Sequence, residues 1–412
     1  MPLPKQFYLH AKEIFSQYEI LAKHYVLIES GIITSIDKVA NKSLPVISFD
    51  QCKLLPGFLD LHIHGREGCD IMDAKRESIE TISSSLAKHG VVGFLGTTVT
   101  STWENTLAAF AAIGEAYHNQ PSGAQVLGAY NEGLFFTEDH KGAHDEKYFL
   151  PLSKENIDAI IEASQGALKV VALAPELPDS EAIIKYLTAK GVKAMLGHTN
   201  ANYQQTCDAL HSGACGGVHV FNGMKGIHHR DPGCAGAVLL EKDAYVEVIA
   251  DGVHLHPAIL QLIYRMKGAN KMGLISDCIV AGGMKDGTYK LGMLDVNVFN
   301  GVARTESGSL AGSTLTLEKA VENLINLADI PPLEAVHMAS LFPAEFLGVS
   351  NTLGSISVGK RACLTLVDDD FNVKATLIDG QLSYAKQEVI EVFTDLFDCI
   401  ESNHIQNFKK NS

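Results

Sequence analysis

None of the eight cysteines, at 52, 69, 207, 215, 234, 278, 363 and 399, belongs to a CxxC pair. A chain of 412 residues can bury enough apolar surface to stand without disulfides, so reduced thiols in the cytoplasm are the simplest account. The first residues, MPLPKQFYLHAKEIFSQ, lack the apolar core and small-residue cleavage site of a signal peptide. Long apolar runs are also missing. The stretch 91–99 is interrupted by Gly and Thr and falls far short of the ~20 residues that cross a bilayer. Basic residues are few: 33 Lys+Arg against 48 Asp+Glu give a net charge of −15. This argues against nucleic-acid or anionic-membrane partners, which need a basic face. A small anionic substrate stays open, since it requires only a local cluster of donors. No G-x-S-x-G, Walker loop or G-x-G-x-x-G follows a strand-like run, which weakens serine-hydrolase and nucleotide-binding readings.

What is present has the proportions of a globular enzyme: 46% apolar, 20% charged, 36 Gly and 13 Pro. Residues 7–53 are rich in Val, Ile and Tyr, with a turn at Glu29-Ser30-Gly31, and read as strands. From Leu54 short apolar runs alternate with helical segments, the pattern of βα units around a parallel sheet. The runs fall at 56–62, 91–99, 125–130, 168–174, 192–198, 217–219, 244–250 and 272–277. Eight such units close a (β/α)8 barrel, so an α/β TIM-like barrel is expected over 55–350. After the helix-like 333–342 the chain turns strand-like again, in SISVGKRACLTLVDDD and VKATLIDGQL. Residues 1–54 and 351–412 are expected to form one small β-sandwich split by the barrel, ending in an amphipathic helix from about Glu388.

Ionisable residues collect at the ends of these runs. His62 and His64 close the first, Glu132 follows the third, His198 ends the fifth, His219 the sixth and Asp277 the eighth. Barrel enzymes carry their chemistry on this rim, where the βα loops converge. Singly, each has a plain structural alternative: rim or core histidines, a loop acid in NEG, a turn Asp in LISDCIVAGG. Jointly, three to five nitrogen and oxygen ligands on one rim favour a divalent metal. Asp277, facing the same position, suits a general acid/base. His144 is placed in a loop from which it could reach a substrate, and Arg230 and His254 are candidates for an anion.

The segments LPGFLDLHIHG, NEGLFF, APE, GHTNA, HVFNGM, ADGVH, LISD and GSLAGSTLTL, with the tail GSISVGKRACLTLVD, occur in a telling order and spacing. Through them the chain resembles the N-acetylglucosamine-6-phosphate deacetylases of the amidohydrolase superfamily, to about residue 382. The resemblance implies a metal-dependent barrel, usually dimeric, in which Glu132, His198 and His219 carry one divalent ion. His62 and His64 correspond to a pair that supports a second ion, and Asp277 to the catalytic acid/base. Ala143-His144, Asn222-Gly223, Arg230, His254 and Leu310-Ala311-Gly312 correspond to substrate contacts. The ion is expected to be zinc, with iron, manganese or cobalt as alternatives, at one or two per chain. The implied reaction is hydrolysis of N-acetyl-D-glucosamine 6-phosphate to acetate and glucosamine 6-phosphate, in amino-sugar breakdown by a cytoplasmic homodimer. The galactosamine isomer and a cyclic amidase are the alternatives. A cyclic amidase would commonly show a bridging lysine and has no use for Arg230, His254 and Asn222 together. A binding module without activity should have lost Asp277 or a ligand, and this chain keeps them all. It departs from the family where HLEGPF reads YNEGLFF, NAM reads Asn222-Gly223-Met224, and TDA reads Ser276-Asp277-Cys278.

Overall fold

The architecture is that of a computed structural model, which describes residues 3–393. Eight parallel strands pair in strict sequence order: Phe58–Ile63, Val91–Thr97, Gln125–Asn131, Leu168–Leu173, Lys193–Leu196, Gly216–Gly217, Tyr245–Val248 and Met272–Leu274. Beyond the eighth strand the ladder closes on the first through a parallel bridge between Ile63 and Cys278. Asp277 N also donates to His62 O at 2.9 Å there. The expected (β/α)8 barrel is borne out. Its strands read as unbroken apolar runs because both faces are covered, by interior side chains on one side and helices on the other. Every residue of Val91–Thr97 is buried, for example.

A helix follows each strand: Arg76–Lys88, Trp103–His118, Lys154–Ala163, Ser180–Ala189, Tyr203–His211, Gly233–Leu240, Pro257–Lys267 and Leu317–Ala328. The first turns Ile79, Ile82 and Leu86 inward at helical spacing. Side-chain caps start four of the others: Thr102, Ser153 and Asn202 each accept the N–H three residues on, and His256 accepts that of Ala258. The sixth strand is only two glycines long. A Cβ at Gly216 would lie 1.7 Å from Tyr245 O, so only glycine lets this strand approach the seventh.

The chain ends supply the expected small β domain. Its strands run Gln381–Ala385, Val373–Ile378, Leu364–Val367, Val46–Pro56, Gln6–Phe15, Tyr25–Glu29 and Ile32–Asp37, with Ile20–Ala22 alongside Gln6–Phe15. The two ends meet where Leu364–Val367 pairs antiparallel with Val46–Pro56. Phe7, Leu9, Ile14, Val26, Leu364, Leu366 and Leu377 form its own core. The expected terminal helix begins at 387 and is described to 393; the rest of it, Cys399 and His404 lie outside the described residues.

One element has no counterpart in the expectations. After the eighth strand an antiparallel sheet, Gly287–Leu291, Leu294–Phe299 and Val302–Thr305, stands between the strand and its helix. It brings Leu291 and the segment after 305 to the rim of the barrel.

Candidate active site

The ionisable residues converge at the carboxyl ends of the strands. His62 lies within the first strand, while Glu132 comes one residue after the third. His198, His219 and Asp277 follow two or three residues beyond the fifth, sixth and eighth. Their φ angles of +48°, +24° and +48° explain why those strands stop early: a left-handed residue breaks the ladder and turns its side chain over the barrel mouth. Such conformations cost of order 1–3 kcal/mol and persist where the surroundings impose them.

Glu132 is the hub. Its Oε1 lies 2.9 Å from His219 Nε2 and 3.2 Å from His198 Nε2. Its Oε2 lies 3.1 Å from His64 Nε2 and 3.3 Å from His62 Nε2. Asp277 Oδ1 completes the second group, 3.2 Å from His64 Nε2. Two sets of ligand atoms result, His62/His64/Glu132 and Glu132/His198/His219, each within 4.8 Å of one another and all from buried residues.

The outer nitrogen of every ring is held. Nδ1 of His62 lies 3.1 Å from Glu247 Oε2, that of His64 3.3 Å from Thr97 O, that of His198 3.2 Å from His140 O, and that of His219 3.1 Å from Asn222 O. Acceptors there leave each Nε2 lone pair facing inward, the arrangement that metal-binding imidazoles need. His62 Nε2 is buried and has no hydrogen-bond partner among the described residues. These donors fit a divalent cation of the kind bound by histidine and carboxylate.

Charge supports the fit. Burial drives the His62 and His64 rings down, yet Glu132, Glu247 and Asp277 overturn it, lifting His62 well above its usual value and His64 to about 9. Protons and a cation are alternative occupants of those nitrogens. Burial pushes Glu132 up, but the charge of His62 and hydrogen bonds from His198 and His219 hold it well below the usual range. For Asp277, burial is likewise outweighed, chiefly by His64, so its ionised form is favoured. Burial and the neighbouring His198 push His144 well below its usual value, leaving a neutral ring.

These groups floor a cavity of about 370 Å³. Ala143, His144, Asn222, Gly223, His254, Leu310 and Gly312 line it, as do His64, Glu132, His198, His219 and Asp277. Two residues grouped with them from the sequence lie elsewhere. Ala311 is fully buried in the core under the inserted sheet. Arg230 is exposed on the loop after the sixth strand, with its Nη1 2.6 Å from His229 Nε2, and is absent from the cavity wall. Asn131, one of the departures from the family, is buried and donates to Gly133 O at 3.1 Å, bracing the turn that carries Glu132. Sequence reasoning missed Asp139, Phe221, Leu291 and Ser309 on the wall, and Glu247 behind His62. Glu247 had a signal: a lone carboxylate in the otherwise apolar run YVEVIA is costly unless paired.

Comparison with known proteins agrees with this geometry. The profile of the amidohydrolase family matches residues 54–383, and the chain belongs to that family of metal-dependent hydrolases. Within it, the resemblance to N-acetylglucosamine-6-phosphate deacetylases is borne out. The chain is 44% identical to the enzyme of that name from Vibrio furnissii, over 86% of this chain and 89% of the other. It is 41% identical to N-acetylgalactosamine-6-phosphate deacetylase of Escherichia coli O157:H7, over 91% and 98%. Among solved structures, an aspartate-to-alanine mutant of the Mycobacterium smegmatis N-acetyl-D-glucosamine-6-phosphate deacetylase, in complex with N-acetyl-D-glucosamine-6-phosphate, superposes with a TM-score of 0.88. It is 29% identical and covers 93% of this chain and 100% of its own.

Proposed function

We propose that this chain hydrolyses the N-acetyl group of N-acetyl-D-glucosamine 6-phosphate, releasing acetate and D-glucosamine 6-phosphate. The observation that carries the reading is the position of Asp277, 3.2 Å from His64 in the floor of a cavity whose wall bears His144 and His254. A divalent ion held by Glu132, His198 and His219, and a second by His62, His64 and Glu132, would supply an acidified water and a polarised acetyl carbonyl. Asp277 takes the proton from the attacking water as the water oxygen bonds to the acetyl carbon. It then returns the proton to the nitrogen as the C–N bond breaks. His144 donates toward the oxygen that gains charge in between. Zinc suits the nitrogen-rich ligand sets best; iron, manganese and cobalt are the alternatives.

His254 and Asn222 are assigned to the sugar phosphate, together with Arg230, which would need its loop or a second subunit of a homodimer to reach it. Ala143, Gly223, Leu310 and Gly312 are assigned to the sugar, with Ala311 buried between the last two as their support. The reading divides the chain into a catalytic barrel, 55–350, and an end domain, 1–54 with 351–412. It belongs to a cytoplasmic enzyme of amino-sugar breakdown; no helix among the described residues is long and apolar enough to cross a membrane. The match to a galactosamine-phosphate enzyme over 98% of that protein favours the 4-epimer as the second reading. Acetate release from N-acetylglucosamine 6-phosphate, N-acetylgalactosamine 6-phosphate, N-acetylglucosamine and a cyclic amide separates the readings. The highest kcat/KM is expected on the first, and turnover of the cyclic amide alone would overturn the proposal.

A further inference from the structure

We infer that Glu247 is a positioning residue for metal binding: it accepts the Nδ1 hydrogen of His62, making His62 Nε2 a ligand, and lends the His62/His64 side a negative charge. The inference rests on the reading of His62, His64 and Glu132 as a cation site.

Glu247 lies in the seventh strand and is 0% exposed. Its neighbours Val246 and Val248 belong to the core beneath the helices, so by strand alternation Glu247 projects into the barrel, where its Oε2 meets His62 Nδ1 at 3.1 Å. His62 is its ion-pair partner, and its Oε1 has no hydrogen-bond partner among the described residues. Burial, with the charge of Glu247 added, pushes the Tyr130 and Tyr245 hydroxyls well above their usual values. A buried carboxylate is expensive to keep unless its charge is used. The ring of Tyr130, 4.8 Å from that of His62, braces the imidazole from the side.

The contrast with the other rim histidines assigns the purpose. His64, His198 and His219 each turn Nδ1 to a neutral backbone carbonyl, while His62 turns it to a full carboxylate. A charged acceptor makes an imidazole a stronger ligand than a carbonyl does. Glu132 divides its two oxygens between the pairs, Oε1 to His198 and His219 and Oε2 to His62 and His64, with Asp277 Oδ1 also 3.2 Å from His64. Glu247 adds a further carboxylate behind His62, from outside the ligand set.

The test measures zinc per chain by mass spectrometry, with holoenzyme equilibrated in zinc–chelator buffers of graded free zinc. Wild type is expected to hold two ions. Glu247→Ala should hold one of them roughly 10- to 100-fold more weakly and the other as before, the usual effect of losing such an outer partner. His62→Ala should lose the same ion. Glu247→Gln keeps an acceptor for Nδ1–H without the charge, so it should fall between wild type and Glu247→Ala, and it preserves the test if the alanine variant does not fold. Nitrogen NMR of the His62 ring should report Nδ1 protonated in wild type. Release of both ions at wild-type zinc levels in both variants, or equal weakening of both ions, would overturn the role. A wild-type enzyme that never takes up a second ion would instead remove the two-ion reading, and this inference with it.

Discussion

His144 Nδ1 lies 2.8 Å from the hydroxyl oxygen of Thr100, which also accepts the Leu134 N–H at 3.2 Å. With that lone pair filled, the hydroxyl can donate to Nδ1 and leave the proton of the neutral ring on Nε2, the atom that faces Glu132 across 3.7 Å. His144→Ala should therefore lower kcat by about 10²–10³, as loss of an oxyanion donor does, with zinc content unchanged. Thr100→Val should show a smaller fall. Steady-state kinetics on both variants checks this, and an unchanged kcat in His144→Ala would take the residue out of the reaction.

The ion of the Glu132/His198/His219 set and the activity should disappear together in His198→Ala. That variant removes a nitrogen from the Glu132/His198/His219 set and leaves His62/His64 intact. Zinc analysis beside an acetate-release assay decides it. Retention of both under chelator-free conditions would show that the set is not a metal site.

Asp277→Asn alters charge and hardly alters shape. Without a proton acceptor kcat should drop by the ~10²–10⁴ that general acid–base groups supply, while the zinc count stays at the wild-type level. A variant that turns over normally would end the assignment.

Arg230 carries the boldest expectation, since it is exposed and off the cavity wall. If it reads the phosphate, Arg230→Ala loses a charge-assisted bond of about 1.5–3 kcal/mol. That is roughly a 10- to 200-fold loss, mostly in KM and confined to phosphorylated sugar. His254→Ala should behave alike from inside the cavity. Equal losses on N-acetylglucosamine and its 6-phosphate would mean that Arg230 only braces its loop.

Gly216→Ala should destabilise the barrel without touching the rim. Its Cβ would sit 1.7 Å from Tyr245 O, a backbone atom that cannot swing away. Overpacking of this kind costs typically 1–3 kcal/mol, visible as a lower melting temperature. An unaltered melting curve would mean that the sixth and seventh strands can part to admit a methyl group.

The barrel was legible because doubly covered strands must be apolar throughout, and the rim because ionisable residues stood at the ends of such runs. His198, His219 and Asp277 nevertheless lie past the strands; no periodicity announces the left-handed turn that puts them there. The sheet at 287–305 was missed although Asn300-Gly301, both at positive φ, is a strong hairpin signal between alternating residues. It stood where a βα unit was expected to run straight into its helix. Glu247 escaped because a strand residue meets its partner across the barrel, and His62 is 185 positions away. Arg230 and Ala311 do not line the cavity, a placement that their motifs alone do not specify.

The inserted sheet and the loop after it contribute Leu291, Ser309, Leu310 and Gly312 to the cavity wall, while every metal-ligand candidate comes from the barrel's own strand ends. The hairpin thus shares the mouth of the barrel with the loops that carry Ala143, Asn222, Gly223 and His254, and it supplies wall without supplying a ligand. A side chain changed at Leu291 or Ser309 reshapes the opening and removes no atom from either ligand set.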